Sequence, residues 1–139
     1  MANLYTVQLL DDGPKNVVAR VVGILDTADL SGVTLLDPAT LSSMQPARPG
    51  GQIATQLAID TIQFSIEDGL EVRLIWDATT PIVAEVMQGR GKTDYKPYGG
   101  LQNNTTTGKT GKILITTQGW AGTLSFTLLL ACFKQGAGA

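Results

Sequence analysis

A chain of 139 residues is the size of one ordinary domain, which excludes a two-domain enzyme and leaves enough length for a core that needs neither disulfide nor metal. Apolar residues make up 43% and charged residues only 16%, against about 25% charged in a typical soluble domain. This balance excludes disorder and points to a surface partly covered by another protein. The net charge of −2 conceals a split: residues 1–89 hold four cations and eleven acids, whereas residues 90–139 hold six cations and one acid, Asp94.

Period-two alternation and β-branched residues run through most of the chain. Leu4–Leu10 reads as a first strand, closed by the turn signal Asp11-Asp12-Gly13-Pro14. Asn16–Leu25 reads as a second strand with apolar residues on both sides (Val18, Val22 and Ile24 on one, Val17, Ala19 and Val21 on the other), which predicts at least partial burial of both faces or coverage by a partner. A short strand is expected at Val33–Leu36. Asp37-Pro38 has the form of a helix start, with one turn over Ala39-Thr40-Leu41. Residues 42–53, with Pro46, Pro49, Gly50 and Gly51, lack periodicity and read as a long loop or arm that meets a neighbouring subunit.

The strongest hairpin signal spans residues 58–77. A three-residue Glu67-Asp68-Gly69 loop, with Gly69 left-handed, would set Ile66 opposite Leu70, Phe64 opposite Val72 and Ile62 opposite Leu74. Pro81–Gln88 gives another strand. Residues 89–111, rich in Gly, Lys, Asn and Thr, read as a long basic excursion. Lys112–Gln118 and Thr123–Phe133 suggest a second hairpin around Gly119-Trp120-Ala121-Gly122, and 135–139 a frayed tail. Seven or eight strands with little helix predict a single all-β domain: an antiparallel two-sheet sandwich, jelly-roll-like, with long loops.

The chemistry-bearing residues are sparse. There is no histidine, so the commonest general base and zinc ligand are missing. Cys132, the one cysteine, sits in the apolar run Leu128–Phe133 and reads as an inert buried thiol. Gly91-Lys92-Thr93 and Gly108-Lys109-Thr110 lack the upstream glycine of a phosphate loop, since Val86 and Asn103 occupy that position, and no helix signal follows either. Asp11-Asp12, Glu67-Asp68 and Asp77 fall at strand ends, where turn chemistry favours Asp; a carboxylate-pair hydrolase is the weakest reading. No catalytic residue, metal site or cofactor is expected. The start of the chain has no basic-then-apolar pattern of a secretory signal, and no apolar run is long enough to span a membrane as a helix.

Trp76 continues the Leu70-Val72-Leu74 face and reads as core. Tyr95, Tyr98 and Trp120 are expected in loops, beside Arg90, Lys92 and Lys96. With Arg48 of the arm, these six are the candidate protein-interface residues. The same aromatics define an alternative, a carbohydrate-binding platform. The basic segment 90–112 is expected to meet an acidic surface, either residues 1–89 of a sister copy or another protein. Nucleic acid is disfavoured by the acidic whole.

Five segments carry a resemblance that spans about Tyr5 to Phe133: Ile66-Glu67-Asp68-Gly69-Leu70, Leu74-Ile75-Trp76-Asp77-Ala78, Gly89-Arg90-Gly91-Lys92, Gly99-Gly100-Leu101-Gln102-Asn103 and Thr117-Gln118-Gly119-Trp120. Together they resemble small virion proteins of tailed bacteriophages, most closely the capsid decoration (cement) proteins. The resemblance implies a protein made in the host cytoplasm that sits on the outer capsid surface, often as a trimer, and bridges neighbouring shell subunits against internal pressure. A tail or adaptor subunit of the virion is the nearest alternative. The resemblance brings no catalytic residues.

Overall fold

The computed structural model describes residues 3–13, 15–26, 28–38, 41, 56–105, 107–108, 110–121 and 123–135. The predicted arm at 42–53, with Arg48, lies outside them. Nine strands form among the described residues: β1 (Leu4–Asp12), β2 (Asn16–Leu25), β3 (Val33–Leu36), β4 (Gln56–Ile66), β5 (Glu71–Trp76), β6 (Ile82–Met87), β7 (Arg90–Asp94), β8 (Ile113–Gln118) and β9 (Leu124–Gln135). They make two antiparallel sheets, a five-stranded one in the order β1-β2-β9-β4-β7 and a four-stranded one in the order β3-β8-β5-β6.

The pairing follows a simple rule. β2 pairs with β9, β3 with β8, β4 with β7 and β5 with β6, as though the chain were one long hairpin. Two further ladders, β4 to β9 and β5 to β8, roll that hairpin into a sandwich. This is jelly-roll connectivity, with β1 added beside β2 as an extra edge strand.

Alternation explains the core. β2 sends Val17, Ala19, Val21 and Leu25 inward to full burial, while Val18, Val22 and Ile24 face out and stay half-buried. Both faces of β2 are therefore buried at least in part, the outer one shielded along the sheet by β1 and β9. The four-stranded sheet contributes Val72, Leu74 and Trp76 of β5 and Ile113 and Ile115 of β8 to the same core. Gly23 leaves the space that the Phe126 ring fills, since a Cβ there would overlap the ring.

The two expected hairpins are not formed. β4 and β5 lie in different sheets, as do β8 and β9, so the connections that begin at Glu67 and at Gly119 are arches that carry the chain between sheets. The facing pairs Ile66–Leu70, Phe64–Val72 and Ile62–Leu74 do not exist as ladder partners; Ile62, Phe64 and Ile66 pair instead with Leu130, Leu128 and Phe126. The apolar faces still point at one core, because an arch and a hairpin both satisfy period-two burial. Gly69 is left-handed as expected, with φ 90°.

The basic excursion also needs correction. Its first residues, Arg90–Asp94, form β7, held on β4 by Ile66 N–H to the Gly89 carbonyl at 2.7 Å and Tyr95 N–H to the Asp60 carbonyl at 2.7 Å. Glycine and lysine are poor strand formers, and the ready-made edge of β4 overrides that propensity. The chain then turns through a short 3-10 segment, Lys96–Tyr98, and returns to β4, where Leu101 and Ile59 exchange backbone bonds of 2.8 and 3.0 Å. At the end of the third strand, Leu41 N–H reaches the Pro38 carbonyl at 3.3 Å; Ala39 and Thr40 lie outside the described residues.

Candidate protein interface

Antiparallel ladders alternate between residues whose backbone groups face the partner and residues whose groups face away. Gly89 and Tyr95 bond β4, so Gly91 and Thr93, in the same register, do as well. Arg90, Lys92 and Asp94 consequently turn their N–H and C=O groups to the outside of the sheet. Their side chains share its outer face and are exposed. Neither Arg90 nor Lys92 has a side-chain hydrogen bond or ion pair among the described residues. Asp94 accepts the Lys96 N–H at 3.0 Å, which fixes the start of the following turn. That turn lifts Tyr98 into solvent at 82% exposure.

Tyr95 behaves differently from Tyr98. It packs against the core, and its hydroxyl donates to Glu85 on β6, tying the β7 edge of one sheet to the β6 edge of the other. Burial, with the Glu85 carboxylate beside it, pushes the Tyr95 hydroxyl up to about 12. Burial alone raises Tyr5 well above the usual tyrosine range. Both hydroxyls lose their protons later in the folded chain than in the unfolded one. Their contribution to stability is thus intact below pH 10 and declines as pH rises from 10 through the folded values. Alkaline titration of unfolding should show this decline, with less of it in Tyr95→Phe. At neutral pH that substitution should cost about 1 kcal/mol for the lost intersheet hydrogen bond.

Trp120 is not an exposed anchor. Its indole N–H donates to the Leu25 carbonyl at 3.1 Å, its backbone N–H donates to Asp29 at 3.1 Å, and its ring packs on the core. Leu25 pairs with Leu124 at the start of β9, whereas Tyr95 bonds Asp60 beside Cys132 near its end. The run from Leu124 to Cys132 covers about 25 Å of strand, so Trp120 and the two tyrosines occupy opposite ends of the sandwich. They do not form the single platform that a sugar site would need. Trp76, read as core, is 1% exposed.

Comparison with protein-family models, with curated proteins and with solved structures finds no match.

An open groove of about 410 Å³ runs beside Lys92 on the outer face of the five-stranded sheet, lined by Gln63, Ser65, Thr127 and Leu129. Alternation in the sequence places Gln63 and Ser65 on an outward face; the approach of Thr127 and Leu129 follows only from the β9-β4-β7 order. Three of the strand-end acids are engaged elsewhere. Glu67 accepts the Ser125 N–H at 2.8 Å, Asp77 accepts the Thr110 hydroxyl at 2.8 Å, and Asp12 pairs with Lys134. Among the described residues no group of three or more Cys, Asp or Glu could hold a metal ion. Cys132 is buried, and burial, with Asp60 nearby, raises its thiol well above the ordinary cysteine range.

The charge split takes a definite shape. The five-stranded sheet has a basic edge, with Arg90 and Lys92 on β7, and an acidic end on the opposite edge, with Asp11 and Asp12 on β1. Lys134, counted among the cations of the second half, belongs to neither surface: its side chain is fully buried.

Proposed function

We propose that this protein is a structural subunit of a virus particle that docks on the shell by its β7 edge. The observation that carries the reading is the exposed row Arg90, Lys92 and Lys96, flanked by the most exposed aromatic residue, Tyr98. Cations without side-chain partners among the described residues, beside an exposed aromatic side chain, suit a protein surface that is acidic and has an apolar pocket. The double-sheet jelly roll agrees with this reading and does not select it, because the same fold builds viral shells and lectins. Separation of Trp120 from Tyr95 and Tyr98 weighs against the lectin alternative. Engagement of Asp12, Glu67 and Asp77 in structural bonds weighs against paired-carboxylate hydrolysis. The sequence resemblance to decoration proteins supplies the particle; the outer shell is the proposed partner.

Shells assembled without the protein provide the test. The wild type should co-sediment with them. Arg90→Gln, Lys92→Gln and Lys96→Gln combined should slow association roughly tenfold at low salt and much less at high salt, because screening removes the steering these charges supply. Absence of co-sedimentation, or binding indifferent to both salt and the triple substitution, would refute the docking edge.

A further inference from the structure

We infer that β1 is a self-association edge, on which two copies pair antiparallel about a two-fold axis at Val7 and join their five-stranded sheets into one. The direction of the backbone groups follows from β2. Lys134 N–H bonds the Lys15 carbonyl, and the β2–β9 register continues unbroken from there, so odd residues of β2 bond β9 and even residues bond β1. Leu4, Thr6 and Gln8, opposite Ile24, Val22 and Arg20, are therefore the residues bonded to β2. Tyr5, Val7 and Leu9 turn three N–H and three C=O groups outward.

An edge of this kind is a template for another strand unless something blocks it. The other three edges are blocked. β3 has four residues. β6 carries a register shift and the inward Glu85 held by Tyr95. β7 carries Arg90 and Lys92. β1 has nine residues, no carboxylate or cation before Asp11, and a bulge that begins only after Leu9. It also holds three of the six exposed large hydrophobic residues among the described ones: Leu4 at 62%, Leu9 at 43% and Leu10 at 52%.

Self-complementarity and charge identify the occupant as a second copy. In the register centred on Val7, the outward groups of Tyr5 meet those of Leu9 of the second copy, Val7 meets Val7, and Leu4 comes beside the other copy's Leu9–Leu10 end. Side chains keep to matching faces because paired residues have the same parity. The antiparallel sense sets Asp11 against Asn3, whereas a parallel sense would stack the Asp11-Asp12 ends on each other. The two-fold pair stands independently of shell docking on β7, and it replaces the trimer that the resemblance implies.

The test uses the full chain without shells. Sedimentation should give a dimer at high concentration. Amide exchange should show Tyr5, Val7 and Leu9 slowing at least about tenfold from low to high concentration, with Thr6 and Gln8 protected at both. Leu4→Lys with Leu9→Lys should weaken the dimer more than about tenfold while Thr6 and Gln8 stay protected, which reports an intact fold. A monomer throughout, a trimer, a dimer indifferent to the double substitution, or any oligomer in which those three amides stay fast overturns the inference.

Discussion

Asp12→Ala is expected to lower stability by about 3 kcal/mol, equivalent to a drop of about 10 °C in Tm for a chain of this length. Lys134 lies on the inward face of β9, opposite Leu57 of β4, and its side chain is fully buried. Its ammonium pairs with Asp12 and donates to the Gly13 carbonyl at 2.6 Å, while its backbone N–H donates to the Lys15 carbonyl. The pair clasps the β1–β2 turn to the end of β9. Removing Asp12 takes the paired carboxylate away from a buried cation, and the uncompensated desolvation of that charge is the cost. Asp12→Ala combined with Lys134→Met should recover most of the loss, since an apolar side chain suits the site once no charge needs a partner. Thermal denaturation of the two variants decides the matter: equal losses in the single and double variants would mean that the clasp acts by packing and not by charge.

Gly119→Ala should cost about 2–4 kcal/mol and exceed the cost of Gly69→Ala. Both glycines are left-handed, with φ 92° and 90°. Gly69 has open space where a Cβ would sit, so only the backbone strain applies there. At Gly119 a Cβ would fall inside the van der Waals surface of the Gly69 carbonyl oxygen, because the two arches nest against each other. A backbone atom cannot swing aside as a side chain can, so the arches must part. The β4–β5 arch is in turn tied to β9 by Glu67 N–H to the Ser125 carbonyl at 3.1 Å and Ser125 N–H to the Glu67 carboxylate. Denaturant titration of both variants measures the difference; a Gly119→Ala loss no greater than that of Gly69→Ala would show that the arches move apart cheaply.

The all-β class, the bounds of β2 and β3, and the apolar face of most strands were legible in the amino-acid sequence alone. Those properties are local: alternation fixes a face and turn residues fix an end, wherever the strand goes afterwards. Burial of Ile62, Ile66, Val72, Leu74, Trp76 and Cys132 was legible for that reason. Pairing was not. Glu67-Asp68-Gly69 can close a hairpin or an arch with the same inward pattern, and only the competition of all strands for partners sends β4 to β9 and β5 to β8. The strand β7 was hidden in a Gly- and Lys-rich text because the edge of β4, not local propensity, makes it extended. In the candidate interface, the sequence marked Arg90, Lys92, Lys96 and Tyr98 by residue type. The tertiary structure alone withdrew Tyr95 to Glu85, because Tyr95 follows β7 and Glu85 lies on β6, strands of different sheets, and it brought Trp120 to the Leu25 carbonyl and Asp12 to Lys134 across 122 residues of chain, since partners so distant in sequence leave no local signal.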